Sequence, residues 1–199
     1  MKITTLLTAA LMPLLATAMP AMKKAQPRQE DSGTFTVMAL RSGSPIHFLP
    51  MQAAGERFYL GGQPATYCPT EVTNCPPGNQ TVLIRGVALD VEVPGGQQIY
   101  VNPEGALSFV QAHSVLIPPG SSYGPFSYQP GQPFGQYSFE GWGAQGFMAC
   151  PNQATNPSSW QVFAALQNAT VPTGNVNDCL GFNAAAIPYN GSFAAWQYI

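Results

Sequence analysis

Short runs of alternating apolar and polar residues, cut by glycine and proline, extend along the chain from residue 34 onward. A period of two puts every second side chain on one face of a strand, so these runs predict half-buried β-strands. Phe35, Val37 and Ala39 are expected to face a core, with Thr34, Thr36 and Met38 opposite. Val87, Leu89, Val91 and Val93 read as inward, with Ala88, Asp90 and Glu92 toward water. Tyr137 and Phe139 alternate with Gln136, Ser138 and Glu140, and Trp160, Val162 and Ala164 with Gln161 and Phe163.

The breaks carry turn chemistry. Pro94-Gly95-Gly96, Pro103-Glu104-Gly105 and Asn190-Gly191 supply the fixed and positive φ values of tight turns. Residues 98–110 read as strand, Pro-Glu-Gly turn, strand. No helical pattern of useful length survives twenty glycines and twenty prolines. The expected fold is all-β: a single-domain antiparallel barrel or sandwich. Strand–turn–strand units near residues 35–60, 82–110 and 137–164 are compatible with a β-trefoil-like arrangement, without a residue-level repeat. Residues 118–133 hold five prolines among Tyr123, Phe126 and Tyr128 and predict a long surface loop. Its aromatics either stack on sugar rings or fold back over the end of the barrel, and the second reading is preferred.

The N-terminus departs from this pattern. Lys2, the apolar run Ile3 to Ala16 and the small residues Ala16-Thr17-Ala18 have the order of a secretory signal peptide over residues 1–18. Pro13 and the short run argue against a spanning helix, which needs about 20 apolar residues. Residues 19–33 read as a flexible lead containing the dibasic pair Lys23-Lys24, and residues 34–199 as the secreted domain. The C-terminal stretch Phe193 to Ile199 is too short for a lipid-anchor signal, so no membrane anchor is expected.

Export changes the reading of the cysteines. Cys68, Cys75, Cys150 and Cys179 form an even set, which implies two disulfides. Of three connectivities, the local one is favoured: Cys68 with Cys75 and Cys150 with Cys179. Zinc is disfavoured because there is no C-x-x-C pair and neither histidine lies near a cysteine in sequence. Asn79, Asn168 and Asn190 each begin an N-x-S/T acceptor, whereas Asn156 is followed by proline. At least one of the three is expected to carry a glycan.

Charged residues make up 8% of the chain, against roughly 25% in ordinary soluble domains. Without residues 1–18 there are six Lys/Arg and nine Asp/Glu, a net of −3. Nothing here would neutralise phosphates, so nucleic acid is not an expected partner. Oligomeric state stays open.

No catalytic constellation is legible. His47, read as a strand residue, and His113, near a strand end, are the only imidazoles, and no G-x-S-x-G elbow surrounds a serine. Glu140, beside Trp142 and two glycines, is the best single carboxylate for a glycosidase, but such enzymes need a pair. No catalytic residue, metal ligand or cofactor is therefore assigned. Trp142, Tyr123, Phe126 and Tyr128 are the candidates for stacking on a glycan, and Trp160 reads as core.

Several segments resemble the PhiA-like family of fungal cell-wall proteins. They are Arg41-Ser42-Gly43-Ser44-Pro45-Ile46-His47-Phe48-Leu49-Pro50 with Gln52-Ala53, and Gln98-Ile99-Tyr100-Val101 with Gly105. Phe147-Met148-Ala149-Cys150-Pro151-Asn152, Trp160 and Asn177-Asp178-Cys179 complete the set. They follow in order across residues 34 to about 185. The chain departs from the family in lacking a cysteine near the mature N-terminus and in its long proline-aromatic segment. The resemblance implies a secreted, wall-associated, non-enzymatic glycoprotein linked to phialide and conidium development, with wall polysaccharide as partner. A carbohydrate-binding module and a host-directed effector or antigen are the alternative readings.

Overall fold

The computed structural model describes residues 33–153, 155, 157 and 159–199. The expected signal peptide, the lead segment with Lys23-Lys24, and Asn156 lie outside the described residues. Fourteen strands form among the described residues: β1 (Thr34–Leu40), β2 (Met51–Ala54), β3 (Arg57–Leu60), β4 (Thr66–Tyr67), β5 (Leu83–Ile84), β6 (Ala88–Leu89) and β7 (Gln97–Val101) come first. They are followed by β8 (Leu107–Phe109), β9 (Phe126–Gln129), β10 (Gly135–Phe139), β11 (Phe147–Pro151), β12 (Trp160–Ala164), β13 (Leu180–Pro188) and β14 (Gln197–Tyr198). Two single 3-10 turns, Gly141–Gly143 and Val176–Asp178, are the helical segments among the described residues.

Neighbour follows neighbour in the order β1-β5-β6-β7-β8-β3-β12-β11-β13, and β13 pairs again with β1. The ladder thus returns to its start, which is the barrel alternative of the sequence reading. Closure leaves no unpaired edges along this ring. β13 makes it work because it is long. Its first residues pair with β11 (Phe147↔Phe182) and later ones with β10 (Tyr137↔Ala184), while its other edge runs against β1 from Phe35↔Pro188 to Leu40↔Asn183. The predicted turn at Pro103-Glu104-Gly105 joins β7 and β8 in the register Val101↔Leu107.

Inside the ring lies one apolar core built around Phe35, Phe58, Leu83, Ile99, Phe109, Phe139 and Phe147. At about 25 cal/mol per Å² of apolar surface removed from water, such side chains contribute roughly 1.5–3 kcal/mol each. A second cluster, Ala106, Met148, Cys150, Phe163 and Val171, lies apart from it. It explains why Phe163 breaks the expected alternation: β12 is covered on both faces.

Both predicted disulfides are present, Cys68–Cys75 and Cys150–Cys179. The second fastens the turn Val176–Asp178 to β11. The C-terminal segment is sewn into the barrel through a buried glutamine. Gln97 Nε2 donates to the carbonyls of Val110 (3.0 Å) and Tyr198 (2.9 Å), and Gln97 Oε1 accepts from the Tyr198 amide at 2.8 Å. Burial holds the Tyr198 phenol far above its ordinary range, and its hydroxyl donates to the Gln80 carbonyl.

The structure corrects the run from Val87 to Val93. Val87 is exposed and Asp90 is 5% exposed. The strand ends at Leu89, and beyond it the chain turns to pair with the C-terminal segment, Val91 bridging Ala195. Leu89, Val91 and Val93 keep the expected inward phase, whereas Val87 leaves it in the β5–β6 turn and Asp90 is covered by the C-terminal segment. Residues 118–133 are likewise more than a loop, because β9 forms a hairpin with β10 (Tyr128↔Tyr137).

Candidate functional site

Where β13 changes partner from β11 to β10, the surface opens. Two depressions of about 350 and 540 Å³ share Gln145, Phe182 and Asn183 and so form one trough. Gln136 and Ser138 on β10, Asn183 on β13, Gln145 in the connection to β11, and Arg41 and Ser42 after β1 line it. Strand alternation places these side chains outward: Gln136 and Asn183 are exposed, while their neighbours Tyr137 and Ala184 are buried. Gln145 is also exposed. Among the described residues, the side-chain amides of Gln136, Gln145 and Asn183 have no protein hydrogen-bond partner. Each therefore offers one acceptor and two donors to whatever enters. Arg41 closes one end, with Nη1 donating to the Gly181 carbonyl at 2.7 Å.

Among the described residues lining the trough Glu140 is the one carboxylate, and it accepts a hydrogen bond from Ser138 Oγ at 3.1 Å. Tyr137 lies below, its hydroxyl committed to the Gly86 carbonyl at 2.8 Å, and burial raises its phenol well above the ordinary value. It stays a protonated donor.

The sequence candidates fall in different places. Tyr128 stacks on Phe35 with centroids 4.3 Å apart, and Phe126 lies on Tyr137 and Phe139. Both are half-buried against the core, as the fold-back reading expects. Tyr123 stays 45% exposed beside Tyr100, and Trp142 is 48% exposed with its ring edge against Phe139. Trp160 is not fully core. Half-buried, it lines a cleft of about 340 Å³ with Pro45, Pro151, Pro157 and Asp178. Four of those five residues belong to the segments that carry the family resemblance.

His47 sits in a turn rather than a strand. Its Nδ1 accepts from the Arg41 amide at 3.2 Å and its ring stacks on Phe48, so it closes the 41–48 turn. His113 is exposed in a turn with φ of 63°. Among the described residues, no three His, Cys, Asp or Glu side chains are grouped to hold a metal ion. Asn79, Asn168 and Asn190 are all exposed. The amides of the trough were missed in the sequence because each reads alone as an ordinary surface residue. Only the partner change of β13 brings them together.

The chain is thus a disulfide-pinned β-barrel with an amide-lined surface trough. Residues 35–199 match the family described as PhiA-like secreted protein, and the chain belongs to that family. An uncharacterized secreted protein of Arthroderma benhamiae is 48% identical over 197 residues, covering 97% of each chain. No solved structure matches. The protein is secreted, in keeping with the family and with this relative.

Proposed function

We propose that this is a non-enzymatic protein of the fungal cell wall, held there by contact with polysaccharide and supporting phialide and conidium development. The observation that carries the reading is the amide-lined trough along β10 and β13. Polysaccharides present hydroxyls as mixed donors and acceptors, and unpartnered carboxamides match both. Low surface charge suits a neutral polymer. A single carboxylate in the trough does not provide the pair that most glycoside hydrolysis uses. The family resemblance supports the wall and spore-forming context.

Fractionation of the native protein tests the reading. Retention in the wall, with release by detergent or glucanase digestion, is expected. Recovery almost entirely from the medium would count against it and favour a host-directed effector or antigen.

A further inference from the structure

A smaller cavity of about 230 Å³ lies away from the trough, between the β7–β8 turn and the turn after β12. Pro103, Glu104, Gly120, Trp142 and Asn168 are among its lining. Its volume falls below the roughly 300–1,000 Å³ of drug-sized sites and suits one ring rather than a chain. Asn168 is the acceptor asparagine of Asn168-Ala169-Thr170.

Both walls are fixed. The Thr170 amide donates to the Glu104 carbonyl at 2.9 Å, and the Ala164 amide to the Gly105 carbonyl at 2.9 Å. A Cβ on Gly105, whose φ is 90°, would come within 3.1 Å of the Ala169 methyl, so the acceptor turn and the Pro-Glu-Gly turn are closely apposed. On the far side, Trp142 has φ 55° and ψ 23°. That left-handed conformation is one that a non-glycine residue rarely adopts. Strain of this kind tends to persist where a side chain is held for a ligand. Here it presents a half-exposed indole to a cavity that also holds an acceptor asparagine.

We infer that Asn168 carries an N-linked glycan whose first N-acetylglucosamine occupies this cavity and lies against Trp142. In the secretory pathway, Asn168 Nδ2 would bond to C1 of the sugar of a lipid-pyrophosphate-linked oligosaccharide. The amide gives up one proton and the lipid pyrophosphate leaves. The transfer acts on the nascent chain, and folding then brings the attached ring onto the indole. The apolar face of the sugar covers the exposed ring, and Glu104 is placed to accept from its polar groups. Trp142 is thereby a seat for the protein's own glycan, leaving the trough for external polymer. This inference stands on secretion and on the cavity, independently of the wall reading.

The test uses the full chain secreted from a fungal host. Peptide mapping is expected to find Asn168 glycosylated. Trimming to a single N-acetylglucosamine with an endoglycosidase should leave acrylamide quenching of Trp142 low, and complete removal with an amidase, which leaves aspartate at position 168, should raise it to the level of the never-glycosylated Asn168→Asp protein. Trp142→Gly, which suits the left-handed backbone, supplies the background from Trp160 and Trp196. In the parent, removal of the last sugar should lower Tm by about 2–4 °C, and in Trp142→Gly it should leave Tm unchanged. An unmodified Asn168, or a glycan whose removal leaves both Trp142 quenching and Tm as they were, overturns the inference.

Discussion

The Tyr137 hydroxyl donates to the Gly86 carbonyl at 2.8 Å across the barrel, and a Cβ on Gly86 would collide with the Tyr137 ring. Gly86 also has φ of 73°. The β5–β6 turn and the floor of the trough are therefore one packing unit. Gly86→Ala is expected to lose about 2–4 kcal/mol through the clash and the left-handed backbone. Tyr137→Phe, which keeps the ring and orphans a buried carbonyl, should lose about 1–3 kcal/mol. Urea unfolding measures both, and a Gly86→Ala protein as stable as the parent would refute the unit.

One edge of the C-terminal strand β14 pairs with β4, and on the other the Gln97 side chain stands in for a backbone at Tyr198. Gln97→Leu leaves the Val110 and Tyr198 carbonyls and the Tyr198 amide without their partner. At about 1–3 kcal/mol for a buried polar group left unpaired, the loss should be several kcal/mol. Hydrogen exchange at the Tyr198 amide should accelerate along with it. Unchanged protection at Tyr198 would show that the strand is held by something else.

Asp90 introduces a pH dependence. Burial raises its carboxyl above the ordinary value of 3.8, and a hydrogen bond with the Ala194 backbone works against that rise. The folded state therefore binds this proton more tightly than the unfolded state. The contribution to stability is full below pH 3.8 and is lost as pH rises through the raised value. Asp90→Asn should accordingly gain on the parent as pH increases across that window and then hold a constant advantage. A difference that shrinks with rising pH would contradict the burial argument.

The two disulfides should differ in weight. Cys150–Cys179 spans 29 residues and Cys68–Cys75 spans 7. Loop closure gives about 3–4 kcal/mol for the first and about 2.5 kcal/mol for the second. Replacing the first pair by alanine should lower Tm by about 10 °C, and replacing the second by less. Calorimetry reads the order, and the reverse order would point to strain or residual unfolded structure.

Much of the fold was legible where burial is one-sided. Phe35, Val37 and Ala39 alternate as expected because β1 has one face on the core. The reading failed where that condition fails. Phe163 is buried on the second face in a cluster with Val171 and Cys150, and Asp90 is covered by a C-terminal segment more than a hundred residues away. Tyr128 looked like a loop residue because the prolines around β9 mask a four-residue strand. The cysteine pairing followed from proximity in sequence. The trough did not, since Arg41, Gln136, Gln145 and Asn183 share no local motif and meet only through the long strand β13.

Co-sedimentation with insoluble glucan, chitin and mannan tests the polysaccharide contact most directly, comparing the parent with the triple variant Gln136→Ala, Gln145→Ala, Asn183→Ala. The parent is expected to bind at least one polymer. At about 0.5–1.5 kcal/mol for each lost hydrogen bond, the variant should bind at least about ten-fold more weakly while unfolding at the same temperature. A parent that binds none of the three, or a variant that binds as tightly, would contradict it.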